Sequence, residues 1–324
     1  MAFVESNPEE NKGSIAEQKR PAAIAVKNVL FATDFSATSE AALPYATAIC
    51  RRFGATLHAA HVLSEANLLL MTGGVDYVSM GTIYEDAHTE AREKLDQMAA
   101  HLEDIPIRCY VRHGQVWKGL AGLIEENEID LIVVGTHGRT GLGKLLLGSV
   151  AEDILRHAPC PVLTVGPKVS GRAKLPAFQA KGRDVAPPEL DLQQILFATN
   201  FASDVPWMAL TAVALAQAFR SHLTLLHVLE DYTELGQRPA PIEEGIRRLR
   251  ALIPNDVDLP YAPETLLEFG SASECILRLA GEREADLIVL GARNSVEVGT
   301  THLPWSTAHH VIAHAPCPVL TIRA

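Results

Sequence analysis

Residues Gly135 to Val150, which run GTHGRTGLGKLLLGSV, have the composition of an anion-binding loop. An apolar run at Ile129–Val134 precedes them, and a helical pattern begins at Ser149. Glycine lets the backbone approach a ligand closely and adopt positive φ angles. The free N–H groups and the positive dipole end of a helix N-terminus attract anions. A strand, a glycine-rich loop and a helix start in succession therefore predict a ligand that carries phosphate.

Two common nucleotide motifs do not fit this loop. The segment Gly138–Leu145 resembles a P-loop, but Leu145 stands where a Ser or Thr hydroxyl would hold Mg²⁺. A dinucleotide G-x-G-x-x-G motif also fails, because Gly141 and Gly143 are followed by Lys-Leu-Leu. Both interpretations are rejected.

A longer spaced pattern fits in full. Gly135 and Gly138 are followed, after nine residues, by Gly148 and Ser149, which gives G-x2-G-x9-G-[S/T]. This pattern, with a strand before it and a helix after it, resembles the nucleotide motif of the universal stress protein family. The resemblance implies an adenine-nucleotide alpha hydrolase-like fold, with ATP and Mg²⁺ as the expected ligands.

The candidate nucleotide contacts lie in three places: after the first predicted strand, at the end of the second, and around the glycine-rich loop. They are Ala32, Thr33, Asp34, Val62, Gly135, Thr136, His137, Gly138, Arg139, Lys144, Gly148, Ser149 and Val150. Thr33-Asp34-Phe35-Ser36 matches the T-D-F-S pattern of the family, in which the aspartate accepts hydrogen bonds from the nucleotide. A carboxylate suits ribose or adenine donors and would repel phosphate.

Several candidates also have a purely structural interpretation. Asp34 is suited to cap the following helix. Ser149, with Glu152 three residues later, forms a capping box, which leaves open whether its hydroxyl contacts phosphate. Arg139 and Lys144 either neutralise phosphates or are solvated surface charges.

The second predicted strand holds Val62, which is either part of an adenine pocket or ordinary core. His58 and His61 lie three residues apart on this strand, so they face opposite sides of the sheet. We therefore reject a zinc site built on these two histidines.

The chain contains a long internal repeat. Its landmarks are NVLFATDF at 28–35 and QILFATNF at 194–201, DLIVVG at 130–135 and DLIVLG at 286–291, and APCPVLT at 158–164 and 315–321. This indicates a duplicated domain rather than a solenoid. We expect a disordered N-terminus at 1–26, domains at 27–166 and 192–324, and a linker at 167–191 rich in Lys, Gly, Pro and Ala.

Strands alternate with helices in each copy, which predicts an α/β fold of two tandem doubly wound parallel-sheet domains with five strands each. Helices are expected at Thr38–Phe53, where Pro44 would kink the helix or mark a later start, and at Glu85–Glu103. The segment Leu63–Gly81 is interpreted as a lid or a partner surface. Ligands of such sheets bind at the carboxyl ends of the strands.

The second copy departs from the nucleotide pattern. Asn200 stands where the first copy has Asp34, and Trp305-Ser306 stands where it has Gly148-Ser149. An indole at that position should fill the space for phosphate. We expect a competent first domain and a degenerate second one.

Composition sets the remaining expectations. The 324 residues carry a formal net charge of −11 without a basic stripe, which argues against nucleic acid and anionic membranes. The five cysteines are scattered, the polar N-terminus lacks a secretory pattern, and a cytoplasmic protein with reduced thiols is expected.

The predicted function is ATP-dependent regulation in a stress response through an unidentified protein partner. A slow ATPase and a nucleotide-free interaction protein are the alternatives, and an enzyme is the less favoured class because the loop offers no dedicated carboxylate. The resemblance further implies antiparallel pairing of the last strands, Pro161–Val165 and Pro318–Ile322, within one chain, with a homodimer also possible.

Overall fold

The computed structural model describes residues 26–64, 77–136, 147–169, 190–201, 205–230, 240–291 and 304–323. The predicted site residues His137, Gly138, Arg139 and Lys144 lie outside these ranges, as do most of the predicted N-terminal segment and linker. Val26, which we assigned to the disordered N-terminus, is buried in the core.

The described strands form one sheet across both copies. They are β1 (Asn28–Ala32), β2 (Thr56–Leu63), β3 (Ile107–His113), β4 (Leu131–Gly135), β5 (Val162–Val165), β6 (Gln194–Thr199), β7 (His222–Leu229), β8 (Glu264–Phe269), β9 (Leu287–Gly291) and β10 (Val319–Ile322). Their spatial order is β3-β2-β1-β4-β5-β10-β9-β6-β7-β8. The α/β class and the five parallel strands per copy are confirmed.

The described helices cover both faces of the sheet. They are α1 (Ala37–Glu40), α2 (Leu43–Phe53), α3 (Tyr77–Ala100), α4 (Val116–Glu126), α5 (Ser149–His157), α6 (Val205–Phe219), α7 (Ala240–Ala251), α8 (Ala272–Glu282) and α9 (Pro304–His314). One core cluster holds residues of α2, α3, α6 and α7, and the other holds residues of α4, α5, α8 and α9. Strands buried on both faces explain why the apolar runs are nearly continuous.

The two copies meet where β5 and β10 pair antiparallel, as the resemblance implies. Each strand reaches across the seam with a threonine hydroxyl. Thr164 Oγ1 donates to Val319 O at 3.0 Å, and Thr321 Oγ1 donates to Val162 O at 3.2 Å. Both hydroxyls are buried, so these bonds satisfy groups that water cannot reach.

Two helix predictions need correction. The expected helix Thr38–Phe53 is divided into α1 and α2, and Pro44 lies in the first turn of α2, where its missing N–H is not needed. The expected helix Glu85–Glu103 begins earlier, at Tyr77, so the Leu63–Gly81 segment ends in helix. Residues 65–76 of that segment lie outside the described part of the chain.

Candidate functional site

The carboxyl ends of β1 and β4 lie side by side. Ala32 pairs in register with Val134, so Thr33 and Asp34 lie next to Gly135 and Thr136. The first and third groups of predicted contacts therefore meet at one edge of the sheet, where ligands of doubly wound sheets bind.

Gly135 is required by close packing against α1. A Cβ atom at this position would lie 2.6 Å from the Thr38 carbonyl oxygen and 3.0 Å from Ser39 Cα. Both neighbours are backbone atoms and have little freedom to move. The glycine that the sequence analysis assigned to ligand approach thus also lets α1 pack on the end of β4.

The backbone around Asp34 is held by short-range hydrogen bonds. Phe35 has φ of 59°, unusual for a bulky residue, and its N–H donates to Thr33 Oγ1 at 2.9 Å. Asp34 Oδ1 accepts from Ser36 N at 3.0 Å. Ser36, not Asp34, is the N-cap of α1, because its Oγ accepts from Ser39 N at 3.2 Å. The predicted capping role of Asp34 is therefore wrong, and the carboxylate is fixed by a turn instead.

The side chain of His61, which the sequence analysis considered only as a zinc ligand, supports this turn. His61 Nδ1 hydrogen-bonds to the Thr33 carbonyl oxygen at 2.8 Å. The imidazole lies 4.6 Å from the Phe35 ring, and Lys94 Nζ is 5.3 Å from that ring. The recurrence of His-Val-Leu at 61–63 and 227–229 was the available signal, since each copy repeats this histidine together with its T-[D/N]-F turn.

Thr136 and Gly148 join the two sides of the segment 137–147. Gly148 N–H donates to Thr136 O at 2.7 Å, and Thr136 N–H donates to Val165 O at 3.1 Å. Thr136 is fully buried. These bonds attach the end of β4 and the start of α5 to each other and to β5.

The start of α5 is open to solvent. Gly148 is the N-cap, with extended φ and ψ of −65° and 145° and without a side-chain capping bond. The predicted capping box is therefore wrong: Ser149 is the first helical residue, and Glu152 pairs with Arg156 at 2.7 Å. Ser149 and Val150 are exposed, and the Ser149 hydroxyl has no hydrogen-bond partner among the described residues. The first-turn N–H groups of a helix have no acceptor within the helix, and this arrangement binds anions.

Ala32 and Val62 both belong to the core. Val62 is 8% exposed, and its methyl carbons would lie 3.2 and 3.3 Å from a Cβ added to Gly119 of α4. Val62 therefore packs against α4, and its role in an adenine pocket stays a prediction. Within the described residues no group of three His, Cys, Asp or Glu side chains could hold a metal ion.

The second copy repeats the turn but changes what it presents. Phe201 has φ of 58°, its N–H donates to Thr199 Oγ1 at 3.0 Å, and His227 Nδ1 bonds to Thr199 O at 2.8 Å. Burial lowers the pKa of His227, and the Arg248 charge lowers it further, while the bond to Thr199 O acts in the opposite direction. The residue within this turn is Asn200, which has no charge.

The helix that follows the second loop also begins differently. α9 starts at Pro304, two positions before Ser306, whereas α5 starts at Ser149 itself. A proline nitrogen has no hydrogen, so the first turn of α9 has one donor fewer for an anion. The two copies therefore differ at both edges of the candidate site.

A family profile identifies the chain. The profile of the Universal stress protein family matches residues 25–166 and again 192–323. The chain belongs to the universal stress protein family. Because the match occurs twice, it is a tandem member.

Individual relatives match about one copy each. Universal stress protein A homolog 1 of Coxiella burnetii is 36% identical over 141 residues, covering 43% of this chain and 95% of that protein. Universal stress protein MJ0531 of Methanocaldococcus jannaschii is 31% identical over 139 residues, covering 43% of this chain and 81% of that protein.

A solved structure matches both copies together. The crystal structure of a universal stress protein from Archaeoglobus fulgidus covers 92% of this chain and 98% of its own, with a TM-score of 0.63 and 21% identity. At this identity the likeness supports the tandem fold alone.

In the described residues, no helix is both long enough and apolar enough to span a membrane.

Proposed function

We propose that the first copy of this tandem universal stress protein binds an adenine nucleotide, ATP with Mg²⁺, at the edge formed by β1, β4 and α5. The open first turn of α5 is the observation that supports this most strongly. Its first-turn N–H groups, which lack a side-chain cap, and the hydroxyl of the exposed Ser149 lie at the end of the glycine pattern, where phosphate is expected. Gly138, Arg139 and Lys144 are proposed to complete the phosphate site.

Asp34 is proposed to select the nucleoside. Its carboxylate lies after β1, the neighbour of β4, and its orientation is set by the bond from Ser36 N. A fixed carboxylate accepts hydrogen bonds from ribose hydroxyls or an adenine amine, and it disfavours a phosphate at the same place. Ala32 and Val62 would then supply apolar contacts to the base.

The proposed role is regulatory. Bound nucleotide would contact residues on both sides of the segment 137–147 and so change the surface that a protein partner recognises. The second copy, with Asn200 and a proline at the start of α9, is proposed to serve as a scaffold that pairs through β10. A homodimer of the tandem chain stays a prediction, which light scattering of the purified protein checks.

The experiment replaces Asp34 with asparagine, the residue that the second copy has in the equivalent turn as Asn200. Asp34→Asn keeps an oxygen that can accept from Ser36 N but removes the charge. Hydrogen bonds to charged groups contribute about 1.5–3 kcal/mol, so we expect ATP affinity to fall about tenfold or more in calorimetric titrations. Binding of inorganic tripolyphosphate should change little.

Asn200→Asp is the matched control, and it should leave both the affinity and the stoichiometry unchanged. Equal losses of ATP and tripolyphosphate binding in Asp34→Asn would contradict the assignment of Asp34 to the nucleoside. Phosphate release measured in the same samples decides whether bound ATP is hydrolysed.

A further inference from the structure

Two histidines lie one turn apart near the carboxyl end of α9. His310 is exposed, His314 is half-buried, and their ring centroids are 4.3 Å apart with an angle of 24° between the ring planes. Side chains four positions apart on a helix lie on the same face. Two histidines at this spacing hold the zinc ion in the H-E-x-x-H motif of metalloproteases. The pair is therefore a candidate metal site outside the proposed nucleotide site.

The His314 ring is already oriented as a metal ligand. Its Nδ1 hydrogen-bonds to the His310 carbonyl oxygen at 2.9 Å. A carbonyl oxygen can only accept, so Nδ1 carries the proton of the neutral ring and Nε2 carries the lone pair. Histidines that bind metals commonly donate their other ring N–H to a carbonyl or carboxylate oxygen in this way. His314 can therefore bind a metal ion through Nε2 and keep this hydrogen bond.

The separation of the two rings suits chelation of one ion. With metal–nitrogen bonds of about 2.0–2.1 Å, two imidazoles on the same ion have ring centres roughly 4.5–5 Å apart. The observed 4.3 Å differs little from this separation, so a small rotation of the exposed His310 side chain is enough to bring both rings onto one ion. Because both ligands lie on one helix, binding needs no movement of the backbone.

The charge around the pair favours a bound cation. Residues 307–314 of α9, TAHHVIAH, include no Lys, Arg, Asp or Glu, and the whole chain carries a formal net charge of −11. The carboxyl end of a helix has a partial negative charge, which comes from carbonyl groups without a partner in the helix. A positive ion at His310 and His314 therefore meets no cationic side chain on this part of the helix.

The first copy has a different pair at the equivalent positions. The repeat His-Ala-Pro-Cys-Pro at 157–161 and 314–318 aligns His157 with His314, and Asp153 with His310. His157 Nδ1 also hydrogen-bonds to the carbonyl oxygen one turn earlier, that of Asp153, at 2.9 Å. The oriented ring thus occurs in both copies, but the second imidazole occurs only in the second copy. Imidazoles suit Ni²⁺, Cu²⁺ and Zn²⁺, whereas carboxylates suit Mg²⁺, Ca²⁺ and Mn²⁺.

From this arrangement we propose that His310 and His314 bind one divalent ion of a late transition metal, of the class of Ni²⁺, Cu²⁺ and Zn²⁺. Structural zinc sites have four protein ligands, and within the described residues no third His, Cys, Asp or Glu joins this pair. Water therefore completes the coordination, and the ion exchanges with the solvent. The second copy, which lacks the features proposed for nucleotide binding, then carries a ligand site of its own.

Calorimetric titration of the full chain with Ni²⁺, without a histidine tag and without nucleotide, tests the proposal. One Ni²⁺ per chain should bind. A large excess of Mg²⁺, which prefers oxygen ligands, should not displace it. Absence of saturable Ni²⁺ binding, or its displacement by Mg²⁺, overturns the proposal. Because no nucleotide is present, the result does not depend on the proposed ATP site.

His310→Gln and His314→Gln test the two ligands. Changing a residue that only orients a metal ligand costs about 10–100-fold in affinity, so removal of either ligand should weaken Ni²⁺ binding by about tenfold or more. His309→Gln is the matched control, because adjacent residues on a helix do not face each other. Unchanged Ni²⁺ affinity in His310→Gln, which alters an exposed side chain, would overturn the proposal, as would an equal loss in His309→Gln.

Asp153→His tests the spacing by giving the first copy the same pair, with His157 as its second member. This variant should bind two Ni²⁺ per chain. A stoichiometry that stays at one would contradict the ligand geometry on which the proposal rests.

A second close pair of histidines, His88 on α3 and His113 on β3, has ring centroids 5.2 Å apart and provides the competing location. His113→Gln should leave Ni²⁺ binding unchanged. Loss of the site in His113→Gln, with His310→Gln still binding, would place the ion at that pair and overturn the proposal.

Discussion

The two copies of the stress-protein domain share a turn but differ in the residue that the turn holds and in the helix start beside it. In both copies a phenylalanine with positive φ lies in the turn after the first strand. A histidine from the neighbouring strand hydrogen-bonds to a backbone carbonyl oxygen of that turn. What differs is the residue within the turn, Asp34 or Asn200, and the start of the helix after the glycine-rich segment. The comparison teaches that the support for the turn belongs to the fold, because both copies keep it. The charge and the helix start differ between the copies, and these are the features that we propose for ligand binding.

The largest difference between the copies should appear at the glycines that end β4 and β9. A Cβ at Gly135 would meet the backbone of Thr38 at 2.6 Å, but at Gly291 it would meet the Met208 sulfur at 2.8 Å. A methionine side chain can move aside, while the backbone of α1 cannot. We expect Gly135→Ala to lower the free energy of unfolding by about 3 kcal/mol and Gly291→Ala by about 1 kcal/mol.

Urea unfolding of both variants measures this. Equal losses of unfolding free energy in the two variants would contradict the expectation that the backbone of α1 leaves no room for a Cβ atom at Gly135. A larger loss in Gly291→Ala would reverse the comparison.

An intermediate difference concerns pH. His58 is buried and hydrogen-bonds to Tyr110 Oη and Asn28 Oδ1, both at 3.2 Å, and the second copy has Thr224 at the equivalent position. Burial lowers the pKa of His58, and the charge of Arg108 lowers it further. The folded state then resists protonation more than the unfolded state does. The contribution of neutral His58 to the free energy of unfolding is therefore complete above the unfolded pKa of about 6.5, and it is lost as the pH falls below that value.

His58→Thr, which copies the second domain, should therefore destabilise the protein at pH 7.5 by about 1–2 kcal/mol through lost packing and hydrogen bonds. The difference in the free energy of unfolding between this variant and the original chain should become smaller towards pH 5. Chemical unfolding at both pH values checks this, and a gap that widens on acidification would contradict it.

The smallest expected difference is at the cations over the two phenylalanines. Lys94 Nζ is 5.3 Å from the Phe35 ring, whereas Arg248 Cζ is 4.1 Å from the Phe201 ring and Arg248 also donates to Phe201 O at 3.4 Å. Methionine keeps the aliphatic contact without the charge. Lys94→Met should lower the free energy of unfolding by about 0.5 kcal/mol, and Arg248→Met should lower it by about 1 kcal/mol. Thermal unfolding in low and high salt compares them, and a larger loss in Lys94→Met would count against this ranking.

Much of the fold follows from hydrophobic pattern and repetition. The ends of β2 (Thr56–Leu63) and β3 (Ile107–His113) follow from the sequence, because each strand stops before a turn residue, Ser64 or Gly114. The early start of α3 was missed because residues 77–84 include glycine and β-branched residues of low helix propensity. Packing compensates: Tyr84 and His88 both lie against His113 of β3, with ring centroids 5.6 and 5.2 Å apart.

The candidate site was predictable in its positions but not in its local geometry. The spacing placed Gly135, Gly148 and Ser149 at a strand end and a helix start, where the structure has them. Which residue caps a helix depends on where the first turn closes, and shifts of one or two positions moved the cap from Asp34 to Ser36 and from Ser149 to Gly148. The support from His61 depends on strand register, which spacing alone does not provide.

The central claim is that the first copy binds one nucleotide and the second binds none. Calorimetric titration with ATP and Mg²⁺, on the purified chain freed of bound nucleotide and on Gly148→Trp, tests it most directly, because this change gives the first copy the residue that the second has at Trp305. The account predicts one site per chain in the original protein and loss of that site in the variant, with the thermal unfolding midpoint retained as the control. Two sites per chain, or undiminished binding by Gly148→Trp, would contradict it.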